Sequence, residues 1–555
     1  MDNVRTVETP VLIVGGGPVG LTASVLLARL GVPSLLVERR PGVTDHPRSR
    51  LINTRTVEVL RSCGLESAFE EISLPKAWRQ QVIYTTSLAG KELGRVKTDA
   101  WAGDATLSPV LPLISSQDKM EPLLRECAEG LPGAELRFST ELIGLEQDER
   151  GVTATLLDHQ AQRKEQLRTS YLIGADGAGS FVRRQLGLGW VGQTGIASLM
   201  NVYFLADLSP WIADRPAALY WVSSKGVTGV LAPLDGEERW VCQIGYNPEH
   251  ESTGDFTPER CADWIRAAVG DASVPLNILS INPWTLSSVI AERLRRGRVF
   301  LVGDAAHQLP PTGGFGMNTG MQAMHNLAWK LAGVIQGWAA PRLLDTYELE
   351  RVPVARYNSE KSLENFMLVA RVNAAVMAQG AGETEVDDET RAAIRGARRY
   401  GNFIGMDLGF AYAQGAVVPD GSAPPKVADD VSRYIPTARP GHRAPHVPLV
   451  KDGREISSLD LFDFRFTLLT GANGSAWIEA GRKLAQARGL PLSAYRIGPY
   501  GELSDPAARF LDAYGLSSQG AVLVRPDGHV GWRSRLASTE PGPTLERALA
   551  LLLGR

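Results

Sequence analysis

The chain has 555 residues, with 58 Lys and Arg against 61 Asp and Glu, and four cysteines. A length of this order predicts about three domains, and a formal net charge of −3 gives no electrostatic reason to expect nucleic acid or an anionic membrane surface as partner. Cys63, Cys127, Cys242 and Cys261 form no CxxC pair and no ligand-like spacing to histidine, so a disulfide framework or zinc site is excluded as the organising element and a reducing cytoplasm is expected.

The first element is a β-branched strand over Thr9–Val14, followed by Gly15-Gly16-Gly17-Pro18-Val19-Gly20, an Ala/Leu-rich helix over Leu21–Leu30, a second strand over Val32–Val37 and then Glu38. The apolar stretch is broken by the three glycines and Pro18 and lacks a basic lead, so neither a signal peptide nor a membrane span is expected. Strand, glycine turn, helix, strand and an acid about 20 residues on form the β-α-β unit that binds a dinucleotide. Gly15 makes the tight turn, Gly17 lets a pyrophosphate approach the backbone, Gly20 lets the helix pack closely, and Pro18 opens the helix whose N-terminus favours an anion. Glu38 is placed to accept from ribose hydroxyls. Gly187, Gly189 and Gly192 repeat the spacing but follow a basic segment instead of a strand, and read as an ordinary loop.

Two later segments select FAD over NAD. Tyr171–Gly177 is an apolar strand ending in Asp176-Gly177, and Arg298–His307 is another, running through Gly303-Asp304 into Pro310-Pro311-Thr312-Gly313-Gly314-Phe315-Gly316-Met317-Asn318. Carboxylates at strand ends stand where open α/β sheets bind ligands. Asp304 can accept from a ribityl hydroxyl. The glycine-rich turn can offer the N–H groups of Gly314, Gly316, Met317 and Asn318 to a flavin pyrimidine, with the dipole of a helix over Met321–Ile335 behind them. Either aspartate alone could equally be a turn or N-cap residue; the three motifs in this order make FAD the reading.

Residues 191–285 carry short aromatic and β-branched runs between turn residues, the pattern of a mostly antiparallel sheet. Tyr220, Trp221 and Gln243 from that sheet, with Phe315, are the candidate substrate contacts, although aromatics in such runs are more often core. Ala340–Gln379 reads as long helices, and 416–448, rich in Pro and Gly, as a linker. Beyond it, strands are expected at Ser458–Phe462 and Phe466–Leu469, a helix at Ser475–Arg488, and a hairpin turning at Arg525-Pro526-Asp527-Gly528.

With these motifs the chain resembles the FAD-dependent aromatic hydroxylases, single-component flavoprotein monooxygenases, and within them the branch acting on aromatic polyketides such as the aklavinone and tetracenomycin hydroxylases. His46-Pro47-Arg48, Thr54–Arg61, Ser116-Gln117-Asp118 and Ala291–Phe300 support the resemblance. It implies an α/β fold: a Rossmann-like FAD-binding domain over 1–190 and 286–415, with a helical segment at 340–415; an inserted β-sheet substrate domain at 191–285; and a thioredoxin-like C-terminal domain at 449–555. No cysteine lies beyond Cys261, so thiol redox chemistry is not expected of that last domain, whose default role is structural or dimer-supporting. The resemblance further implies that Arg48 and Gln117 touch the FAD phosphates, that the backbone of Leu142 meets the adenine, that Arg39 lines the adenosine pocket, and that the carbonyl of Pro311 lies near the reacting ring. Ala323 departs from the pattern, since many relatives carry an acid there.

No convincing protein nucleophile, metal site or carboxylate pair is present, and His307 and His325 read as packing residues. That fits chemistry carried by the cofactor, with no catalytic side chain assigned. The implied reaction is reduction of FAD by transiently bound NADPH, addition of O2 to form a C4a-hydroperoxide, and hydroxylation of a polycyclic aromatic polyketide by a cytoplasmic monomer or homodimer. Baeyer–Villiger oxygen insertion on a related polyketide, and a non-catalytic flavin protein that sequesters an aromatic compound, are the alternatives.

Overall fold

The computed structural model describes residues 7–98, 105–224, 226–378, 386–397, 401–499 and 501–555. The first sheet is built on four parallel neighbours: Arg163–Gly174 pairs Val7–Val14, which pairs Ser34–Val37, which pairs Ala134–Arg137, while Val299–Leu301 extends the other side of Arg163–Gly174. The inner strands are apolar runs, and Val11, Leu12, Ile13, Leu172, Ile173, Phe300 and Leu301 are fully buried, as a sheet covered on both faces requires. The helix after the first strand runs Pro18–Arg29, with Pro18 at its first position and every residue from Gly20 to Leu27 buried.

The second sheet has eight strands in the order His307–Gln308, Asn277–Ala291, Trp190–Leu205, Arg239–Tyr246, Val227–Pro233, Leu219–Ser224, Gln81–Thr85 and Glu92–Lys97. It is antiparallel except where Leu219–Ser224 lies parallel to Gln81–Thr85. Residues 191–285 therefore supply only its centre. Two strands come from Gln81–Lys97, and the longest return strand runs past 285 to Ala291. Met200, Val202, Phe204, Tyr220, Val222, Leu231, Trp240, Cys242 and Ile244 form one face, packed with Cys261 and Ile265 of the helix Pro258–Val269. By the alternation of a pleated strand, Asn201, Tyr203, Leu219, Trp221, Val230, Gln243 and Asn282 occupy the other.

The helix expected at Met321–Ile335 begins earlier, at Phe315, because Gly314 takes the left-handed conformation (φ 68°) and turns the chain directly into it. Thr346–Ala378 forms a single helix of 33 residues across Pro353; Gln379, where the sequence reading ended, lies outside the described residues. The C-terminal part is a four-stranded sheet in the order Leu492–Arg496, Phe466–Thr470, Ala521–Val524, Val530–Ser534, flanked by helices Ser475–Arg488 and Pro541–Leu552. Its first pair is parallel and the next two are antiparallel, the thioredoxin-like arrangement. Ser458–Leu461 is a turn of 3-10 helix and not a strand: the Ser457 and Asp460 side chains close a capping box around it, a local bonding scheme that competes with strand pairing. Among the described residues no helix is long and apolar enough to cross a membrane.

The segment 416–448 has no regular helix or strand, yet it is not a loose tether. Ala416, Ala438, Arg443, Ala444 and Val447 are at most 1% exposed. Arg443 Nε donates to Glu58 Oε2 at 2.9 Å, and Arg55 Nη1 donates to the same oxygen at 2.8 Å. Burial would raise the Glu58 carboxyl, but Arg443 and Arg55 overcome it and hold it down at about 2. Because this folded value lies below the ordinary 4.5, the stabilisation is complete above pH 4.5 and is lost as pH falls through about 2. Glu58→Gln leaves two guanidinium groups buried without their counter-charge and is expected to cost about 3–5 kcal/mol. Urea unfolding at pH 7 checks this, and the difference between variant and parent should shrink as the pH is lowered from 4.5.

Candidate functional site

Three sequence-distant segments meet at backbone contact. Gly15 (φ 111°) lies so close to the end of the Arg163–Gly174 strand that an added Cβ would fall 2.3 Å from the carbonyl oxygen of Ala175 and 3.0 Å from Cα of Asp176. An added Cβ on Gly20 would lie 1.9 Å from the Gly15 carbonyl oxygen. On Gly320 it would be 2.7 Å from Val19 Cγ2 and 2.9 Å from Cα of Gly303. The glycine turn, the Asp176 strand end, and the Gly303-Asp304 strand end with its following helix are thereby drawn to one place.

Around this point the groups suited to a dinucleotide are exposed in the right sense. A Cβ on Gly17 would find its nearest neighbour, Glu121 Oε1, at 3.9 Å, and one on Gly316 would meet nothing within 4 Å. Both glycines stand at helix N-termini, where the first N–H groups have no intrahelical acceptor. Glu38 is buried; its Oε2 accepts from the Gly16 N–H at 2.7 Å, and its Oε1 accepts from the N–H and Nε of Arg40 at 2.9 and 3.0 Å. Burial pushes its carboxyl up, and these donors bring it below the ordinary value. Asp304 is exposed at its strand end, where the protein packed around it draws its carboxyl up and Arg48 pulls it the other way.

Asp176 is already engaged: its two oxygens accept from Ser180 Oγ at 2.5 Å and from the Val182 N–H at 2.9 Å, bracing the short helix Phe181–Gln185. The capping use weighed for it is therefore real, and its contribution to the site runs through the close approach to Gly15. Gln117 opens the helix Gln117–Glu129; its N–H donates to the Ser49 carbonyl at 3.0 Å, which holds exposed Arg48 beside it. Leu142 is buried on the strand Thr140–Gln147, with a register shift directly after it. Arg39 is exposed, and it is Arg40 that pairs with Glu38.

The turn at Pro311 is closed by the Gly314 N–H donating to the Pro311 carbonyl at 2.9 Å, and Thr312 Oγ1 fastens it to the Ser362 carbonyl at 2.6 Å. Asn318 has its side chain fully committed, with Nδ2 donating to the carbonyls of Gly314 at 2.6 Å and Leu51 at 2.9 Å and Oδ1 accepting from the Asn53 N–H at 3.0 Å. Met317 is buried against the main core. His307 is buried and His325 half-buried, and desolvation holds both neutral, pushing each down to about 3.

Of the four candidate substrate contacts, Tyr220 is misplaced. Its ring lies in the core on the far face of the second sheet, and its hydroxyl donates to the Arg215 carbonyl at 2.8 Å. Neighbouring strand residues point to opposite faces, so the same pleat that buries Tyr220 delivers Trp221 to the near face. There Trp221 and Leu219 pack with Tyr84, Leu309, Phe315, Val372 and Phe403. Gln243 lies on this face between Asn201 and Val230, and Asn201 in turn pairs Asn282.

Several site residues escaped the sequence reading. Glu121, fully buried beside Gly17, accepts from the Thr44 N–H and Gln117 Nε2, and burial raises its carboxyl above the ordinary value. Its signal was a lone acid in an amphipathic helix, indistinguishable from a surface residue. Asn201 and Asn282 were also missed; their signal is a polar residue in phase with Tyr203 and Gln243 on paired strands, and it shows only once the pairing is known.

Residues 8–362 match the family described as FAD binding domain, and residues 437–555 match the family described as aromatic-ring hydroxylase, C-terminal. A 2,4-dichlorophenol 6-monooxygenase of Delftia acidovorans is 38% identical over 100% of this chain and 99% of its own. A putative polyketide hydroxylase of Streptomyces halstedii is 38% identical over 98% of this chain and 97% of its own. The structure of aklavinone-11 hydroxylase, solved as a ternary complex with FAD and aklavinone, superimposes with a TM-score of 0.85 at 35% identity, covering 99% of this chain and 100% of that one. The glycine cradle, the exposed carboxylate of Asp304 and the paired helix N-termini fit FAD, and the chain belongs to the FAD-dependent aromatic-ring hydroxylases.

Gly15→Val drives a side chain into the Ala175 carbonyl, and Asp304→Ala removes the exposed acceptor. Each is expected to yield protein that loses FAD on gel filtration, read as the 450 nm to 280 nm absorbance ratio. Full flavin occupancy in both variants would overturn the placement of the site.

Proposed function

We propose that the protein is an NAD(P)H- and O2-dependent monooxygenase that hydroxylates an electron-rich phenolic ring of a polycyclic aromatic polyketide. The bound flavin, reduced by a transiently bound nicotinamide, supplies the activation of dioxygen. The chain's own residues bind and orient. Gly15, Gly17, Gly20 and Pro18 seat the pyrophosphate on a helix N-terminus, with Arg48 and Gln117 as further phosphate partners. Glu38 receives the adenosine ribose, Leu142 meets the adenine, Asp304 receives a ribityl hydroxyl, and the N–H groups of Gly316, Met317 and Asn318 face the pyrimidine edge, the Gly314 N–H expected to join them being taken by the Pro311 carbonyl.

The observation that carries the substrate reading is the near face of the second sheet. Apolar Trp221, Leu219 and Phe315 wall one part of it, and the row Asn282–Asn201–Gln243 continues beside them across three paired strands. A flat aromatic with an apolar body and a neutral oxygenated edge suits that combination. Carboxamides donate and accept without net charge, so they match phenol and ketone groups better than a carboxylate. Dry apolar walls also serve the reaction, because excluding water suppresses wasteful release of reduced oxygen.

The test is NADPH and O2 consumption by the FAD-loaded protein against tri- and tetracyclic phenols and simple chlorophenols, with product mass and NMR. Stimulated consumption with one added oxygen as a new phenol is expected. A lactone product would replace ring hydroxylation by oxygen insertion, and tight binding with no stimulation across the panel would replace catalysis by sequestration. In the same assay Trp221→Ala should raise KM for the preferred substrate at least about tenfold, equivalent to about 1.4 kcal/mol of lost binding. Tyr220→Phe should leave KM unchanged and cost about 1 kcal/mol of stability through its lost hydrogen bond.

A further inference from the structure

The hairpin Arg525-Pro526-Asp527-Gly528 reaches out of the C-terminal sheet and is buried against the first domain, with Arg525 0% and Asp527 1% exposed. Arg525 donates to both oxygens of Glu350, at 2.9 and 2.8 Å, and to both oxygens of Asp527, at 3.0 and 2.5 Å. Glu350 also accepts from Lys330 Nζ at 2.8 Å, from Asn326 Nδ2 at 2.5 Å and from the Ala416 N–H at 2.8 Å. Lys330 and Asn326 belong to the Phe315–Ile335 helix, so two cations and two anions tie the hairpin to the body of the helix whose first turn forms the pyrimidine seat.

A second arm is shorter. The Asp527 carbonyl accepts from Arg55 Nη2 at 2.6 Å, and Gly528 packs so close that an added Cβ would lie 3.2 Å from that nitrogen. Arg55 is in the first turn of the helix Thr54–Ser62, capped by Asn53. The N–H of Asn53 donates to Asn318 Oδ1, and Asn318 Nδ2 grips the carbonyl of Gly314. Gln322 Nε2 adds bonds to Asn53 Oδ1 and Thr56 Oγ1, both at 3.1 Å. From the hairpin to Gly314 there are thus only three intervening residues, Arg55, Asn53 and Asn318.

Cohesion alone does not call for such a cluster, since apolar residues of matching volume hold two bodies together as well as buried ions do. What directional bonds add is fixed orientation, because each fork and carboxylate tolerates a narrow range of geometry. We propose that the C-terminal hairpin is a positioning element of the flavin site: Asp527 and Arg525 act through Arg55, Asn53 and Asn318 to hold the Gly314–Met317 backbone in register with the flavin pyrimidine. The inference rests on reading that backbone as the pyrimidine seat, and it makes the C-terminal domain part of the cofactor site and not a separate support.

The test uses the full-length FAD-loaded protein and needs no turnover. Asp527→Asn and Arg55→Lys are compared with Leu523→Ala, a core truncation in the same C-terminal sheet that touches none of these bonds. Read-outs are thermal midpoint, Kd for FAD from titration of the apoprotein, and position and fine structure of the bound-flavin absorption bands. Asp527→Asn is expected to weaken FAD about tenfold more than Leu523→Ala at equal loss of thermal midpoint, and to shift the flavin bands. Arg55→Lys keeps the charge, removes the fork, and should show the same band shift with a smaller loss of midpoint. Band positions and FAD affinity indistinguishable from Leu523→Ala in both variants overturn the proposal. Gly316→Val separates the two layers: if it too leaves FAD affinity unchanged, the pyrimidine seat itself is wrong, and if it alone abolishes binding, only the hairpin's role fails.

Discussion

Close backbone approach at four glycines is the constraint on which the rest of this structure depends. Gly15 against Ala175, Gly20 against Gly15, and Gly320 against both Val19 and Gly303 leave no room for a side chain. Chain segments some 150 residues apart can therefore share one point only because nothing stands between their backbones. From that contact follow the direction of two helices, the alignment of their unpaired N–H groups, and the placement of Asp304 between them. Glycine weakens a helix interior by roughly 1 kcal/mol relative to alanine, yet Gly320 sits mid-helix and fully buried; the packing it permits outweighs that local cost.

The same reasoning explains what could be read without coordinates. Short-range patterns with a fixed period or spacing were legible: the Gly15–Gly20 turn, the Asp176 and Asp304 strand ends, the Ser475–Arg488 helix and the hairpin at Arg525 all lie where their residues say. Pairings between distant strands were not. Gln81–Lys97 reads equally well as any surface hairpin, and only the parallel register with Leu219–Ser224 reveals that it completes the second sheet. Tyr220 and Trp221 show the limit most sharply. Both are large aromatics in one strand, and which of them packs against Phe315 depends on a one-residue phase that only the packed partner helix determines. Asp304 was legible as an acid at a strand end, whereas the upward shift of its carboxyl belongs to the protein packed around it and not to the motif.

Proline and glycine content suggested a linker at 416–448, and the composition was a correct guide to irregularity but not to freedom. Irregular backbone can be buried when side chains and carbonyls elsewhere satisfy it. Here the Ala416 N–H meets Glu350 and the Ala444 N–H meets the Gly528 carbonyl, so the segment is threaded between the two bodies it joins. No periodicity announces this, because each bond is made to a residue tens to hundreds of positions away.

The charges bear out that view of the molecule as one cooperative unit. Most of its ion pairs sit on the surface, where they contribute little, but two sets that join the first domain to the C-terminal third are withdrawn from water: Glu58 with Arg55 and Arg443, and Glu350 with Lys330 and Arg525 beside Asp527. In each set a carboxylate of the first domain is matched by a guanidinium that arrives from the C-terminal third. Each carboxylate also keeps a cation of its own domain, Arg55 for Glu58 and Lys330 for Glu350, and it is Arg443 and Arg525 that depend on the first domain for their counter-charge, since an unpaired ion in a dry interior costs several kcal/mol. The thioredoxin-like domain carries no cysteine, and what it contributes to this junction is electrostatic: it delivers Arg525 to Glu350, while the segment leading into it delivers Arg443 to Glu58.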